Sequence, residues 1–166
     1  MENDMSEITM TQQWFVKAGQ MPEVPTLDFR QAAFYIGMQM EELAEKLEVV
    51  LGGTSELPAA LQAEASRFKR GEHDLSLESI MDQETATQLL DADMDLIWVS
   101  IGAAAAQGAD PVAAYRAVSK ANWAKFPNGV VTRDPVTGKV VKPEGWQSPD
   151  LAQFIHSSMQ GAFNHE

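Results

Sequence analysis

Between Phe29 and Leu51 the apolar residues Phe29, Ala32, Ala33, Ile36, Met40, Leu43, Leu47 and Val50 recur every three or four positions, until Gly52-Gly53 stops the pattern. That period predicts a long helix with one buried face, with Thr26 or Asp28 available as its cap. A shorter helix is expected over Met10 to Gly19, closed by Gly19 and kept from continuing by Pro22 and Pro25. A third helical segment, Leu57 to Arg70, leads through a polar connection, Gly71 to Ser76, into a weaker helical stretch. The second long helix runs from Gln83 to Gln107 and closes at Gly108. It is almost uniformly apolar after Asp95, and a helix that is apolar all round is a central one.

Asp110-Pro111 places an N-cap before a proline at the first helical position and opens a helix to about Ala121. The pattern then changes. Val130-Val131-Thr132 and Val140-Val141 flank the turn-forming run Asp134 to Gly138, which predicts a small β-hairpin. A loop through Lys142-Pro143 and Gly145 to Pro149 precedes a short terminal helix, Asp150 to Met159. The expected architecture is all-α, a helical bundle with a small C-terminal β-hairpin. No internal repeat or low-complexity segment interrupts it.

Composition narrows the class. With 166 residues, residues 1–166 suffice for one domain with a real core. Apolar residues at 45 % and charged residues at 22 % are the balance of a globular protein. Cysteine is absent, which removes disulfides and thiolate chemistry and suits a reducing compartment. The acidic start, Met1 to Glu7, has no secretory pattern, and the apolar run Leu96 to Ala106 is about half of a bilayer crossing. A cytoplasmic protein with no membrane partner is expected, in a bacterium or a phage-infected host. A net charge of −12 repels nucleic-acid polymers but leaves room for a small polyanion held through metal ions.

Glu41, Glu42 and Glu45 are spaced to lie on adjoining parts of one helix face. Two readings are open for them: a solvated face partly neutralised by Lys46 and Lys69, or a cation site. Asp91 and Asp95 shift the balance, since they stand four apart on a helix that reads as buried, where unpaired aspartate is costly. Two carboxylate pairs on two long antiparallel helices would suit Mg²⁺ or Mn²⁺. The three histidines, His73, His156 and His165, lack zinc-ligand spacing. Phosphate-loop, dinucleotide and Ser-His-Asp patterns are also missing.

These residues resemble the all-α NTP pyrophosphatase superfamily, which includes MazG-like enzymes, dimeric dUTPases and phosphoribosyl-ATP pyrophosphohydrolases. The hallmark Glu-Glu-x-x-Glu helix is matched by Glu41, Glu42 and Glu45, and the later acidic pair by Asp91 and Asp95. Trp14 to Gln20 is similar to the family's opening helix, and Asp95-Leu96-Ile97-Trp98-Val99 with Gly102 to its second metal helix. Ser119 to Phe126 and Gly138 to Pro143 resemble the phosphoribosyl-ATP pyrophosphohydrolase-like branch. The likeness covers about residues 10 to 152. It departs at Ala92, where the commoner motif has glutamate three before the aspartate, so that Asp91 substitutes from one residue farther back.

The resemblance implies attack of water on the α-phosphorus of a nucleoside triphosphate. The expected metal ligands are Glu42, Glu45, Asp91 and Asp95, with Glu41 either a further ligand or the base. Lys120, Asn122 and Lys125 would hold phosphates or, alternatively, complement a helix C-terminus. Trp14 and Phe15, with Gln13 or Gln12, would receive the base unless they pack in the core, and Trp98 is open to the same two readings. The substrate would be a (d)NTP, with purine dNTPs such as dGTP among the candidates. A phosphoribosyl-ATP pyrophosphohydrolase-like enzyme and a non-catalytic helical adaptor are the competing readings. The apolar helix calls for cover from a homodimer or homotetramer.

Overall fold

A computed structural model of the chain describes residues 6–24, 28–72, 82–135 and 139–155. Among these described residues are five α-helices, α1 (Glu7–Lys17), α2 (Phe29–Leu51), α3 (Leu57–Arg70), α4 (Gln83–Ala106) and α5 (Pro111–Trp123), with 3₁₀ turns at Pro127–Gly129 and Ala152–Phe154. Local chemistry sets their ends. Ser6, Asp28 and Asp110 accept backbone N–H groups in the first turns of α1, α2 and α5. Gly52 and Gly71 close α2 and α3 in the left-handed conformation, at φ 55° and 67°, which glycine adopts without a Cβ clash. The weaker helical stretch after Ser76 lies outside the described residues, as do positions 156–159 of the expected terminal helix; its described part, residues 150–155, forms only the 3₁₀ turn Ala152–Phe154 instead of an α-helix.

The chain divides into two compact units, Thr26–Leu90 and Met1–Pro25 with Asp91–Glu166. In the first, α2 packs on α3. The residues of α2 that are buried are the small ones, Ala33, Gly37 and Ala44, whereas Leu43 and Val50 of the predicted apolar face are exposed. Small side chains let the two backbones approach. A Cβ on Gly37 would lie 2.7 Å from the carbonyl oxygen of Ala65 and 2.8 Å from Cγ of Lys69.

In the second unit α1 packs on α5. Arg116 donates from Nε to Glu7 at 2.7 Å, and the hydroxyls of Thr11 and Tyr115 share a hydrogen bond. Trp14 stacks on Phe126 at a centroid distance of 5.3 Å, with Phe15 and Trp123 edge-on to this pair. The expected hairpin region contains one antiparallel bridge, Arg133 with Val140, and no strand forms among the described residues. A second bridge, Ala109 with Ile155, ties the last described residues to the start of α5.

The expectation for α4 needs correction. It is continuous from Gln83 to Ala106, but none of its residues is buried in the single chain, and Asp91 and Asp95 are exposed along with all but Thr85, Ala103 and Ala104, which are half-buried. Apolar composition identifies a surface that requires cover without providing it. No described helix is long and apolar enough to cross a membrane.

Candidate functional site

Glu41, Glu42 and Glu45 belong to the unit of α2 and α3. Glu41 follows Gly37 by one turn and therefore lies toward α3, where its Oε1 accepts the Lys69 ammonium at 2.8 Å. Glu42 and Glu45 lie farther round the helix and are exposed. Neither is paired with a cation among the described residues. The carboxyl of Glu42 is pushed above the usual glutamate range, first by partial desolvation and then by repulsion from Glu45 and Glu41. One turn of helix thus carries three carboxylates and a single bound lysine. The pairing with Lys69 matches the neutralising partner suggested by the sequence, but it reaches Glu41 alone.

Asp91 and Asp95 lie one turn apart at the start of the other unit's portion of α4. Among the described residues no group of three or more aspartate, glutamate or histidine side chains is gathered to enclose a metal ion. The donor chemistry still suits Mg²⁺, which commonly takes one or two protein carboxylates, keeps several waters and completes its shell with substrate phosphates.

The proposed phosphate residues meet at the end of α5. Lys125 donates from Nζ to Oδ1 of Asn122 at 2.7 Å, while the same asparagine's backbone carbonyl accepts the Trp14 indole N–H at 2.9 Å. Lys125 Nζ also lies 5.4 Å from the centroid of Trp146, and Lys142 Nζ lies 4.5 Å from it. Burial and then the charge of Lys142 hold the Lys125 pKa below the ordinary lysine value. Neither lysine is paired with a carboxylate among the described residues. Lys120 lines a neighbouring groove of about 510 Å³ together with Trp146 and Gln147.

Neither Lys142, within the Gly138 to Pro143 stretch, nor Trp146 is singled out as a site residue by the sequence, because only the fold-back of the loop brings them to Lys125. The anchor is the Trp146 indole N–H, which donates to the carbonyl of Ala121 at 2.7 Å.

The aromatic candidates separate. The indole N–H of Trp14 is used by Asn122 and its face by Phe126, which makes Trp14 a packing residue of the α1–α5 unit. Phe15 packs edge-on against it at 5.3 Å. Gln12 and Gln13 instead line a cavity of about 450 Å³ with Val16, Lys17, Glu23 and Trp123. Trp98 stands 79 % exposed on α4, outside the aromatic cluster. Comparison of the chain with protein-family models, curated proteins and solved structures finds no match.

Proposed function

We propose that the chain is a Mg²⁺- or Mn²⁺-dependent nucleoside triphosphate pyrophosphohydrolase of the all-α MazG-like type. It would convert a cytosolic (d)NTP into the monophosphate and pyrophosphate, as a homodimer or homotetramer. The observation that carries this reading is the charge imbalance on α2. Glu42 and Glu45 have no cation partner among the described residues, and partial desolvation, followed by repulsion from Glu45 and Glu41, raises the Glu42 pKa, a penalty that a bound cation would offset.

Glu42 and Glu45, with Asp91 and Asp95, are the residues that would hold the ion. The bound ion supplies charge neutralisation at the phosphates and a lowered pKa for water. Glu41, whose Oε1 accepts the Lys69 ammonium, is the candidate to orient the attacking water or accept its proton. The oxygen of that water bonds to the α-phosphorus as the bond to the α–β bridging oxygen breaks, releasing pyrophosphate.

Lys125 and Lys142 bring positive charge to the phosphate tail, and Asn122 fixes the position of Lys125. The cavity beside Gln12 and Gln13 offers amide donors and acceptors next to the Trp123 indole, a suitable environment for a base.

The test is incubation with a panel of ribo- and deoxyribonucleoside triphosphates and Mg²⁺, with pyrophosphate detection. Turnover abolished by chelator and by Glu42→Ala is the expected result. Absence of turnover across the panel, including phosphoribosyl-ATP, overturns the reading in favour of a helical adaptor.

A further inference from the structure

Two cavities open on the last turns of α5, and a ligand with one base fills only one of them. The cavity beside Gln12, Gln13 and Trp123 holds about 450 Å³, and the groove beside Lys120, Trp146 and Gln147 about 510 Å³. Each is large enough for a nucleoside. The helix period keeps them apart. Ala117, Lys120, Ala121 and Ala124 follow the spacing of one helix face and line the groove, whereas Trp123 turns to the other cavity. Asn122 falls between these two directions. It holds Lys125, whose Nζ lies 5.9 Å from the ring centroid of Trp14 and 5.4 Å from that of Trp146, and Lys142 stands 4.5 Å from the same Trp146 ring. Two lysines without a carboxylate partner among the described residues thus lie at the boundary of two base-sized spaces.

The groove has unspent polar groups of its own. Trp146 is committed through its indole N–H to the carbonyl of Ala121, while Asp150 and Gln153 are engaged in the turn at the rim. The side chains of Lys120, Glu144 and Gln147 make no hydrogen bond or ion pair among the described residues. A cation, a carboxylate and a primary amide beside an indole suit a phosphate, ribose hydroxyls and the edge of a base. We infer that the groove receives the second nucleoside of a dinucleoside polyphosphate, whose phosphate chain crosses Lys125 and Lys142 from the Gln12 and Gln13 cavity to Glu144 and Gln147.

The inference rests on the nucleotide-binding part of the reading above and names its substrate class. The oxygen of water bonds to the α-phosphorus of the nucleoside held beside Gln12 and Gln13, and the bond to the α–β bridging oxygen breaks. One proton of the water passes to the general base. The products are that nucleoside's monophosphate and the remaining nucleoside polyphosphate.

The test compares dinucleoside tri-, tetra- and pentaphosphates with nucleoside polyphosphates that have the same number of phosphates and no second base. All carry a methylene group in place of each α–β bridging oxygen, so that calorimetry with Mg²⁺ reads binding without turnover. At least one dinucleoside compound should bind about tenfold tighter than its single-headed counterpart. Glu144→Ala and Gln147→Ala, both at exposed positions, should each remove most of that preference. Equal binding within every pair overturns the inference, as does a preference that both variants keep in full. Pyrophosphate release from unmodified triphosphates by a protein without the preference would sink the second nucleoside and keep the chemistry. A preference without turnover of any unmodified ligand would do the reverse, and no binding at all would sink both.

Discussion

Lys69 reaches from α3 to place its ammonium 2.8 Å from Oε1 of Glu41 on α2, and both side chains are largely withdrawn from water, at 16 % and 23 % exposure. The ion pair fixes which of the three neighbouring glutamates is neutralised. Removing the cation leaves a half-buried carboxylate beside Glu42 and Glu45. Lys69→Met is therefore expected to lower stability by about 1–2 kcal/mol in urea denaturation. In Lys69→Met combined with Glu41→Gln, a large part of that loss should be recovered, and simple additivity of the two changes would show that the pair is not coupled.

That pair depends on a close approach one turn earlier. A methyl group at position 37 would lie 2.7 Å from the Ala65 carbonyl oxygen and 2.8 Å from the Lys69 side chain. The backbone contact cannot yield without moving α3 away from α2. Gly37→Ala gains helix propensity but should still lose about 1–3 kcal/mol through overpacking. Gly102 is a control within a helix, because a Cβ there meets nothing within 4 Å. Gly102→Ala should be neutral or stabilising when both variants are compared by urea denaturation.

Glu42 makes a prediction of opposite sign for stability. Its folded pKa is raised by desolvation and by Glu45 and Glu41. A raised carboxyl pKa means that the folded state favours the protonated form. The resulting contribution is fully present below the unfolded pKa and is lost as pH rises through the folded pKa. Without metal, Glu42→Gln should therefore be more stable than wild type at pH 7 and equal to it in acid. Solvent exposure limits the gain to ~0.5 kcal/mol. Mg²⁺ should raise the wild-type Tm and leave Glu42→Gln nearly unmoved; an equal Mg²⁺ response in both proteins would remove Glu42 from the ligand set.

The sequence-based expectations succeed where local chemistry decides the outcome. Leu57 to Arg70 forms a helix with the expected limits because Gly71 can take the left-handed closing conformation, and Asp110-Pro111 opens α5 because the aspartate accepts the N–H groups of Val112 and Ala113. They are weaker where a neighbour decides. Periodicity marks an apolar stripe on α2, but the close approach at Gly37 selects its small-residue edge for burial. Among the described residues, the two short runs near Val130 and Val140 give one bridge, Arg133 with Val140, in place of strands, since so short a pair makes a marginal ladder. Trp14 is a base-stacking candidate in the sequence, with core packing the commoner role of an aromatic, and the carbonyl of Asn122 on its indole N–H places it in the packing of α1 on α5. Lys142 is separated from Lys125 by a turn and a loop, so no spacing rule links them.

The pairing of Lys125 and Lys142 across Trp146 leads to the last prediction. Burial first and then the charge of Lys142 depress the Lys125 pKa, and an anion between the two lysines would relieve their repulsion. If they hold phosphates in the ground state and the transition state alike, their loss raises KM and changes kcat little. Lys125→Ala and Lys142→Ala are each expected to raise KM for the triphosphate by roughly tenfold, about 1.4 kcal/mol of binding. Pyrophosphate titrated against intrinsic tryptophan fluorescence gives a readout that does not require turnover. Wild type should respond through Trp146, and both variants should need about tenfold more pyrophosphate for the same change. A drop in kcat with unchanged KM would instead assign the lysines to the reacting bond, and an unaltered titration in both variants would leave them as cation–π anchors of the loop.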